Sequence, residues 1–594
     1  MILKVRRTRS ISISLFSLWL SGFVILGGMQ IEISHQFQDR SLTCGDLSLK
    51  TSGGDTVSIT RLDYLLSDFA LQRAGDGIWE SAGERQGYVS VASGRQRVTL
   101  PGLPKGQFSA LRFTVGVNPD INAADPNQYP AEHPLNPQVN GLHWGWQGGY
   151  VFLALEGHYV RGKESEPGGY SYHLANDANA TKIELPIQFD GKSDRTIQLK
   201  LDVAQLFDGP SSIIIAEHGD STHSRDRDPL PIRLKSNLQQ AFSFVSTSSD
   251  TFHETAVKAV PTVFLGTAYP LRVSKRFPQV TLPEDNPLTI EGVRLGERLF
   301  QDPRISKNNV QSCASCHQQS HAFTDPNKRF SIGANGDEGR RNAMPLFNLA
   351  WKKAFFWDGR VERLRDQVLM PIQDPHEMNE SLPAVLTKLK GDDRYLAMFK
   401  AAFGEAAIGE KSLAMALEQF LFSLVSQDSK FDRAARGETR FTTEEQRGLQ
   451  LFVTEFDPTN NLRGADCFHC HSGNLFTNHA FANNGLDAHL SDLGLGKVTG
   501  RDSDAGKFAT PSLRNVSVTG PYMHDGRFAT LTEVINHYDS GVKHSATLDP
   551  NLAKHPDTGL ELTEADKQSL IAFLNTLTDD RFLKAEEAKS LTLQ

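Results

Sequence analysis

Two Cys-x-x-Cys-His boxes are the residues whose types and spacing point most directly to chemistry. The first box consists of Cys313, Cys316 and His317, and the second of Cys467, Cys470 and His471. In such a box the two thiols bond to the vinyl groups of a c-type haem, and the His becomes an axial iron ligand. Five Cys and 19 His in 594 residues predict only about 0.001 boxes by chance. A zinc half-site or a thioredoxin-like redox pair needs neither the adjacent His nor a second copy, so the sequence predicts two covalently bound haem c groups.

A second segment with unusual chemistry is the run HWGWQGGY at residues 143–150. Two of the six Trp in the chain, Trp144 and Trp146, lie two positions apart. In a strand they would share one face. A pair of core aromatic residues is the structural interpretation of this spacing.

Charge and the first residues constrain the location and the partners. Lys4, Arg6, Arg7 and Arg9 precede an apolar run over residues 11–27, which is typical of an export signal or an N-terminal anchor within residues 1–29. The folded part is therefore expected in the periplasm. The net charge of −8 includes the four positive charges of this segment, so the remainder carries −8 − 4 = −12. This acidic remainder has no basic tract, which argues against a nucleic-acid partner. Cys44, outside both boxes, is interpreted as a small buried hydrophobe, with a copper ligand as the alternative.

The elements that must position these residues fall into two halves. Residues 30–245 are rich in β-type runs separated by Gly, Pro, Asn and Asp, which predicts an all-β domain, an antiparallel sandwich or barrel. The predicted strand runs are 56–71, 98–100, 111–117, 150–155, 182–189 and 196–203. Residues 246–275 begin with a Ser/Thr-rich stretch and are predicted to be a linker.

Helical periodicity dominates the remainder of the chain. The predicted helical runs are 290–300, 382–389, 413–426, 443–452 and 563–577. We expect two mainly α cytochrome c-type domains with one haem each, over residues 276–435 and residues 436–594.

The β half resembles the MbnP family. The resemblance lies in residues 55–69, in WGWQGGY with the following LEG, and in Tyr-His-Leu at 172–174. Members of that family are periplasmic copper-binding proteins, related to CorA, in which a Trp is converted to kynurenine. The resemblance implies that Trp144 or Trp146 is modified and that His35, His143 and His173 are candidate copper ligands, since imidazole suits copper. The spacing does not choose among the histidines, so His133, His158, His218 and His223 also stay open.

The helical half resembles the bacterial dihaem cytochrome c peroxidase and MauG superfamily. The motifs are NPLT at 286, LGERLF at 295, FWDGR at 356, PSLRN at 511 and PYMHDG at 521. The ordinary peroxidases place a Met fourteen residues after the His of the last motif, whereas this chain has Tyr538 there, as MauG and MbnH do. The resemblance implies that Tyr538 is the sixth ligand of the second haem. Ala334 stands where those peroxidases carry a distal His, which implies an open first haem.

The same resemblance assigns further roles. Gln367 and Glu377 lie ten and twenty residues after Trp357, matching the residues that orient peroxide and shuttle its proton. Trp357 matches the Trp between the two haems. Asn342, Thr519 and Pro521 match positions around an interhaem calcium ion, a hard cation that takes oxygen ligands.

Together these parts predict an enzyme fused to its own substrate. Hydrogen peroxide would react at the first haem, and the chain's own N-terminal domain would lose electrons from a Trp, giving kynurenine and a copper site. An ordinary dihaem peroxidase, which removes hydrogen peroxide with a small electron-transfer protein as donor, is the alternative. A copper-binding protein whose haem half senses redox state is a third hypothesis.

Overall fold

The computed structural model describes residues 28–102, 105–145, 148–161, 166–250, 266–404, 408–555 and 558–584. The predicted export segment, apart from its last two residues, and Trp146 lie outside the described residues. Among the described residues, no helix is long and apolar enough to span a membrane.

The first half is built from β-sheets, as predicted. Within the described residues the strands form a 5-stranded and a 10-stranded sheet. The first sheet contains Met29–Phe37, Arg40–Ser41, Arg97–Leu100, Thr196–Asp202 and Phe242–Ser248. The second contains Leu49–Lys50, Asp55–Val57, Arg61–Arg73, Trp79–Ser81, Gly87–Ser90, Gln107–Val115, Val151–Arg161, Gly168–Ala175, Thr181–Asp190 and Ser221–Thr222. Pairing is mainly antiparallel, but Met29–Phe37 runs parallel to Thr196–Asp202.

Alternation of side chains explains how these strands pack. Thr181–Asp190 alternates strictly between buried and exposed positions, because successive side chains point to opposite faces of a sheet. Gly168–Ala175 differs, since seven of its eight residues are buried. Its Tyr170, Tyr172 and Leu174 enter the β core, whereas Ser171 and His173 are polar yet buried. That polar face lies under the haem half.

Short helices complete the β domain: Pro119–Ala123, Pro137–Asn140, Ala204–Asp208, Ile215–His218 and Leu230–Ala241. The haem half contains Ile290–Gln301, Cys313–Cys316, Leu364–Gln367, Met370–Gln373, Leu382–Lys390, Asp393–Phe403, Glu410–Ser423, Lys430–Ala435, Thr443–Phe452, Leu495–Thr499, Leu531–Asn536, Glu564–Asn575 and Asp580–Leu583. Single 3₁₀ turns occur at Pro126–Gln128, Asp177–Asn179, Pro303–Ile305, Lys307–Asn309, Gln319–His321, Leu349–Trp351, Pro458–Asn460, Cys467–His469, Asp502–Asp504 and Val516–Val518, and one small ladder pairs Phe481–Ala482 with Phe508–Ala509.

Each haem unit is framed by two helices that cross at a glycine. Ile290–Gln301 approaches Glu410–Ser423 so closely that a Cβ on Gly296 would lie 2.0 Å from the Ala416 carbonyl oxygen. Thr443–Phe452 approaches Glu564–Asn575 in the same way, with a Cβ on Gly448 1.9 Å from the Ser569 carbonyl. Only glycine permits such close backbone contact, so these two positions fix the scaffold around each box.

Candidate functional site: two haem boxes and a histidine cluster at the domain interface

The first box presents His317 in the orientation that a haem ligand needs. The His317 Nδ1–H donates to the Phe323 carbonyl at 2.7 Å, which leaves Nε2 for iron. A hydrogen bond of this kind, from the ring nitrogen that does not bind the metal, fixes the tautomer of a ligating His. Cys313 and Cys316 sit on one helical turn directly before it. These residues fit a covalently bound haem.

Glu377 lies beside the first box. Burial and the nearby Asp374 charge raise the pKa of Glu377 to about 7. The Glu377 charge in turn contributes to the raised pKa of Cys313, which places the carboxylate near the thiol that would carry the haem. The Ala334 N–H donates to the Glu377 carbonyl at 2.6 Å, so Ala334 lies next to it. Gln367 ends the helix Leu364–Gln367, one turn before the loop that holds Glu377.

Trp357 connects the two haem units. Its indole Nε1–H donates to the Asn342 carbonyl at 2.8 Å, and the Asn342 N–H donates to the His524 carbonyl at 2.8 Å. The Trp357 carbonyl accepts from the Ala509 N–H at 2.8 Å. Asn342 of the first unit therefore holds the indole end of this buried Trp, and Ala509 of the second unit bonds its backbone. Trp357 lies where the two units meet, and its role as a relay between the haems stays a prediction.

The predicted calcium ligands stay a prediction. The Asn342 amide Nδ2 donates to the Lys328 and Arg329 carbonyls at 3.3 and 3.2 Å, so a cation would have to use Oδ1. The Thr519 hydroxyl donates to the Val516 carbonyl at 3.2 Å. Pro521 offers only its carbonyl oxygen as a ligand.

His471 belongs to the second box, and Tyr538 is the residue predicted to be the sixth ligand of the second haem. The His471 Nδ1 faces two backbone carbonyls, those of Phe476 at 3.3 Å and Pro511 at 3.2 Å. Tyr538 lies in a π-helical turn, His537–Gly541, a local geometry that often marks functional sites. Burial raises the pKa of Tyr538, and the charges of the two thiols of the second box, Cys470 and Cys467, contribute to the rise. Tyr538 therefore lies near this box, and its role as the sixth ligand stays a prediction.

The β domain docks onto the second haem unit through direct backbone contacts. The Gly169 N–H donates to the Ala553 carbonyl at 3.1 Å, and a Cβ on Gly169 would lie 1.9 Å from the Pro550 carbonyl oxygen. The Asn551 amide donates to Glu156 at 3.5 Å. Such an approach leaves no room for a side chain at position 169.

Buried charges add to this interface. Glu455 of the haem half accepts from Lys554 at 2.8 Å and from Arg225 of the β domain at 3.2 Å, and the Ser221 hydroxyl also donates to it. A carboxylate that is 2% exposed needs such partners. The interface is therefore polar and specific.

Three histidines and one Trp converge where the domains meet. Trp144 is 8% exposed and His173 and His223 are each 5% exposed. The Trp144 ring lies 5.7 Å from the His223 ring and 6.4 Å from the His173 ring. His469, from inside the second haem box, lies 5.1 Å from His223 and 6.0 Å from His173, ring to ring. One ring nitrogen from each of the three histidines lies within 4.8 Å of the others.

Carboxylates surround this cluster, and one of them is hydrogen-bonded to a ring. Glu156 bonds the Nε2 of His173 at 2.9 Å, Glu455 lies 3.0 Å from the Nδ1 of His223, and Asp466 lies 3.5 Å from the Nε2 of His469. Burial lowers the pKa of His173 to about 3. A neutral imidazole held by an outer carboxylate is the usual form of a metal ligand, so the donor set fits a metal ion such as copper.

The structure brings only part of the predicted copper set to this cluster. His173 is there, but His35 is bonded to the Tyr64 hydroxyl at 2.9 Å, and His143 lies against the Tyr150 ring at 4.8 Å. Three other histidines have other partners: His133 stacks on Tyr129, His158 bonds the Leu548 carbonyl, and His218 bonds Ile214.

His223 and His469 are the residues that complete the cluster. His223 was one of several open candidates, and sequence reasoning missed His469. One signal in the sequence could have found His469. It is a second His inside the box, at one of the two variable positions that haem attachment does not constrain.

Comparisons with known proteins identify the families of both halves. The family model for di-haem cytochrome c peroxidases matches residues 290–440, and the MbnP model matches residues 27–224. The methylamine utilization protein MauG of Methylorubrum extorquens is 39% identical over 307 residues, which are 51% of this chain and 82% of that protein. The cytochrome c551 peroxidase of Nitrosomonas europaea is 31% identical over 300 residues, 50% of this chain and 82% of that protein.

A solved structure was also matched. It is a MauG-like protein associated with microbial copper homeostasis, with 34% identity, a TM-score of 0.48, and coverage of 54% of this chain and 98% of that chain. On the family models and the MauG relatives, this chain belongs to the dihaem cytochrome c peroxidase and MauG family and carries an MbnP domain at its N-terminal side.

Proposed function

We propose that this chain is a peroxide-dependent dihaem oxidoreductase that oxidises Trp144 of its own MbnP domain to kynurenine and thereby matures a copper site. The observation that carries the proposal is the position of Trp144. It is buried at the interface, beside histidines of which one belongs to the second haem box.

A continuous series of rings joins Trp144 to that box. The Trp144 and His223 ring centroids are 5.7 Å apart, and His223 lies 5.6 Å from Phe468 and 5.1 Å from His469. Phe468 and His469 stack at 4.1 Å between Cys467 and Cys470. Electrons from the indole would need to cross only short gaps to reach the second haem unit, and Trp357 supports onward exchange with the first.

Hydrogen peroxide as the oxidant accounts for the atoms and electrons needed to convert Trp144 to kynurenine. Opening the pyrrole ring breaks the indole C2–C3 bond and adds two oxygen atoms, a four-electron oxidation that consumes two molecules of hydrogen peroxide and releases two of water. Hydrolysis of the resulting N-formyl group by water releases formate and leaves kynurenine. When bound, the haems supply the sites that reduce peroxide. Glu377 would move the peroxide proton, with Gln367 orienting peroxide or water.

A periplasmic location is part of the proposal. Covalent haem attachment and the export-type segment at residues 1–29 support it. Fusion would keep the MbnP domain at high effective concentration beside its enzyme.

Peptide mapping by mass spectrometry tests the proposal. After peroxide treatment of the haem-loaded chain, we expect the kynurenine mass on the peptide containing residue 144. Trp79, which packs against the Arg112 guanidinium and is not among the residues around His173, His223 and His469, should stay unmodified in the same digest. Unmodified Trp144 and Trp146 beside fully loaded, peroxide-reactive haems would contradict self-processing.

A glycine substitution tests whether docking positions Trp144. In Gly169→Ala the new Cβ would collide with the Pro550 carbonyl, so the domains must separate locally. We expect oxidation of Trp144 to slow by at least about tenfold, because small displacements of reacting groups can cost about 10²-fold, while the peroxide reaction at the haem is unchanged. Gly75→Ala, at a site with no atom within 4 Å of the added Cβ, is the control. Unchanged oxidation in Gly169→Ala would show that Trp144 is reached by another route.

A hydrogen-peroxide-removing peroxidase with an external electron donor is the second candidate. Identity of 31% to a cytochrome c551 peroxidase favours it. In that case a small reduced cytochrome or cupredoxin should sustain steady turnover and Trp144 should stay intact.

A further inference from the structure

We propose that His469 of the second haem box is the third ligand of a copper site that also contains His173 and His223. The site would span the two domains, with two ligands from the MbnP domain and one from the haem half. This inference rests on the proposed copper binding by the MbnP domain and adds a ligand from outside it.

The first argument is convergence. One nitrogen from each imidazole lies within 4.8 Å of the others, and the three rings belong to the strand Gly168–Ala175, the segment after Ser221–Thr222 and the 3₁₀ turn Cys467–His469. Because these nitrogens are so close and come from different elements, small rotations of the imidazole rings would allow one ion to bind all three.

The second argument is unsatisfied hydrogen-bonding capacity. Among the described residues, the Nδ1 of His173, both ring nitrogens of His223 and the Nε2 of His469 are buried and make no hydrogen bond, although Glu455 lies 3.0 Å from the Nδ1 of His223 and Asp466 lies 3.5 Å from the Nε2 of His469. Leaving buried polar atoms unpaired destabilises the fold, so unsatisfied nitrogens that cluster in this way indicate a missing ligand. A metal ion would bind one such nitrogen from each of the three histidines.

The third argument is the surrounding charge. Glu156 and Glu455 hold the opposite edges of His173 and His223, as outer-shell carboxylates do at metal sites. Asp466, with Glu455 and His469, forms a second group of converging donors, and His469 is common to both groups. Its position makes it the residue through which a bound cation would contact the haem half.

The three imidazole donors favour particular metal ions. Imidazoles suit copper, zinc, iron and nickel, and for a given nitrogen site copper(II) binds most tightly among the divalent first-row ions. Copper bound here would tie residues 173 and 223 to residue 469. Metal occupancy would therefore stabilise the docked arrangement, because a ligand that binds only one state shifts the equilibrium toward it.

Copper affinity of the haem-loaded full chain tests the inference. In His469→Gln we expect copper(II) to bind at least about tenfold more weakly, since even outer-shell partners contribute about 10- to 100-fold. His544→Gln is the matched control, because His544 also reaches across the interface, to the Pro167 carbonyl at 3.0 Å, but lies outside the cluster. Equilibrium dialysis in a competing chelator, with haem content checked for each variant, gives the affinities.

A measurement on the unmutated chain guards against variants that fold poorly. Copper-edge X-ray absorption should report three imidazole nitrogens, and loss of one in His469→Gln. Two imidazoles in the unmutated chain, or unchanged affinity in His469→Gln, would overturn the inference.

The mass of the residue-144 peptide, recorded on the same samples, separates the two proposals. If kynurenine forms but the copper affinity is the same in His469→Gln, only the third ligand is refuted. If Trp144 stays intact but the copper affinity falls in His469→Gln, only the self-processing is refuted.

Discussion

Replacing Glu377 by Gln is expected to slow the reaction with hydrogen peroxide by about 10²- to 10⁴-fold, the usual contribution of a general acid–base group. Gln has nearly the same size but cannot take the peroxide proton and return it. Rapid mixing with peroxide, followed through the haem spectrum, measures the rate. Formation of kynurenine should fall with it.

Glu380→Gln is the control for that substitution. Glu380 lies three residues away and pairs with Lys388 at 2.7 Å, so it has a structural partner of its own. A Glu377→Gln chain that keeps the unmutated rate would assign proton transfer to another group.

The same carboxyl predicts a pH dependence. A pKa of about 7, raised from the ordinary value of Glu, means that the carboxylate needed to accept the first proton is scarce at pH 5 and dominant at pH 8. The rate should therefore rise about tenfold per pH unit below pH 7 and level off above it. In Glu377→Gln this rise should vanish, and a profile that falls with increasing pH would contradict the assigned role.

Tyr538→Met is expected to change the second haem from one that supports oxidation of Trp144 to one suited to external donors. A thioether ligand raises the haem potential, and axial ligands span about 0.8 V among haem proteins, so spectroelectrochemistry should detect an upward shift. We expect kynurenine to disappear and turnover with a reduced cytochrome to appear.

Tyr538→Phe separates ligand loss from ligand exchange, because it removes the phenol oxygen without supplying sulfur. It should lose Trp144 oxidation without gaining donor turnover. If both variants keep the potential and the kynurenine yield, Tyr538 is not the ligand.

The sequence predicted best what local rules determine. The haem boxes follow from covalent chemistry within five residues, and the structure adds the hydrogen bond from His317 to Phe323 that fits the role. The strand predicted at 182–189 lies within Thr181–Asp190, because alternation is set by neighbouring residues. The helix predicted at 443–452 has those bounds, with a capping box at Thr442 and Glu445, which is again a local signal.

What sequence reasoning missed depends on how distant segments meet. The parallel pairing of Met29–Phe37 with Thr196–Asp202 joins segments that no spacing rule relates. His223 and His469 come together only because the β domain docks on the second haem unit, and complementarity between two surfaces leaves no periodic signal in either segment. By residue type, His35 was as good a candidate copper ligand as His173. Its hydrogen bond to the Tyr64 hydroxyl depends on tertiary packing, which the sequence pattern does not show.

Burial of Trp144 beneath the haem half limits how often the proposed reaction can occur. Each docked chain offers its haems one indole at this position, and the interface leaves no room for a second protein to present another. The process would thus be a stoichiometric maturation step that is completed once per molecule. Its yield would be expressed as kynurenine formed per protein chain and not as a turnover rate. A plateau of one kynurenine per chain, independent of excess peroxide, is what this arrangement implies.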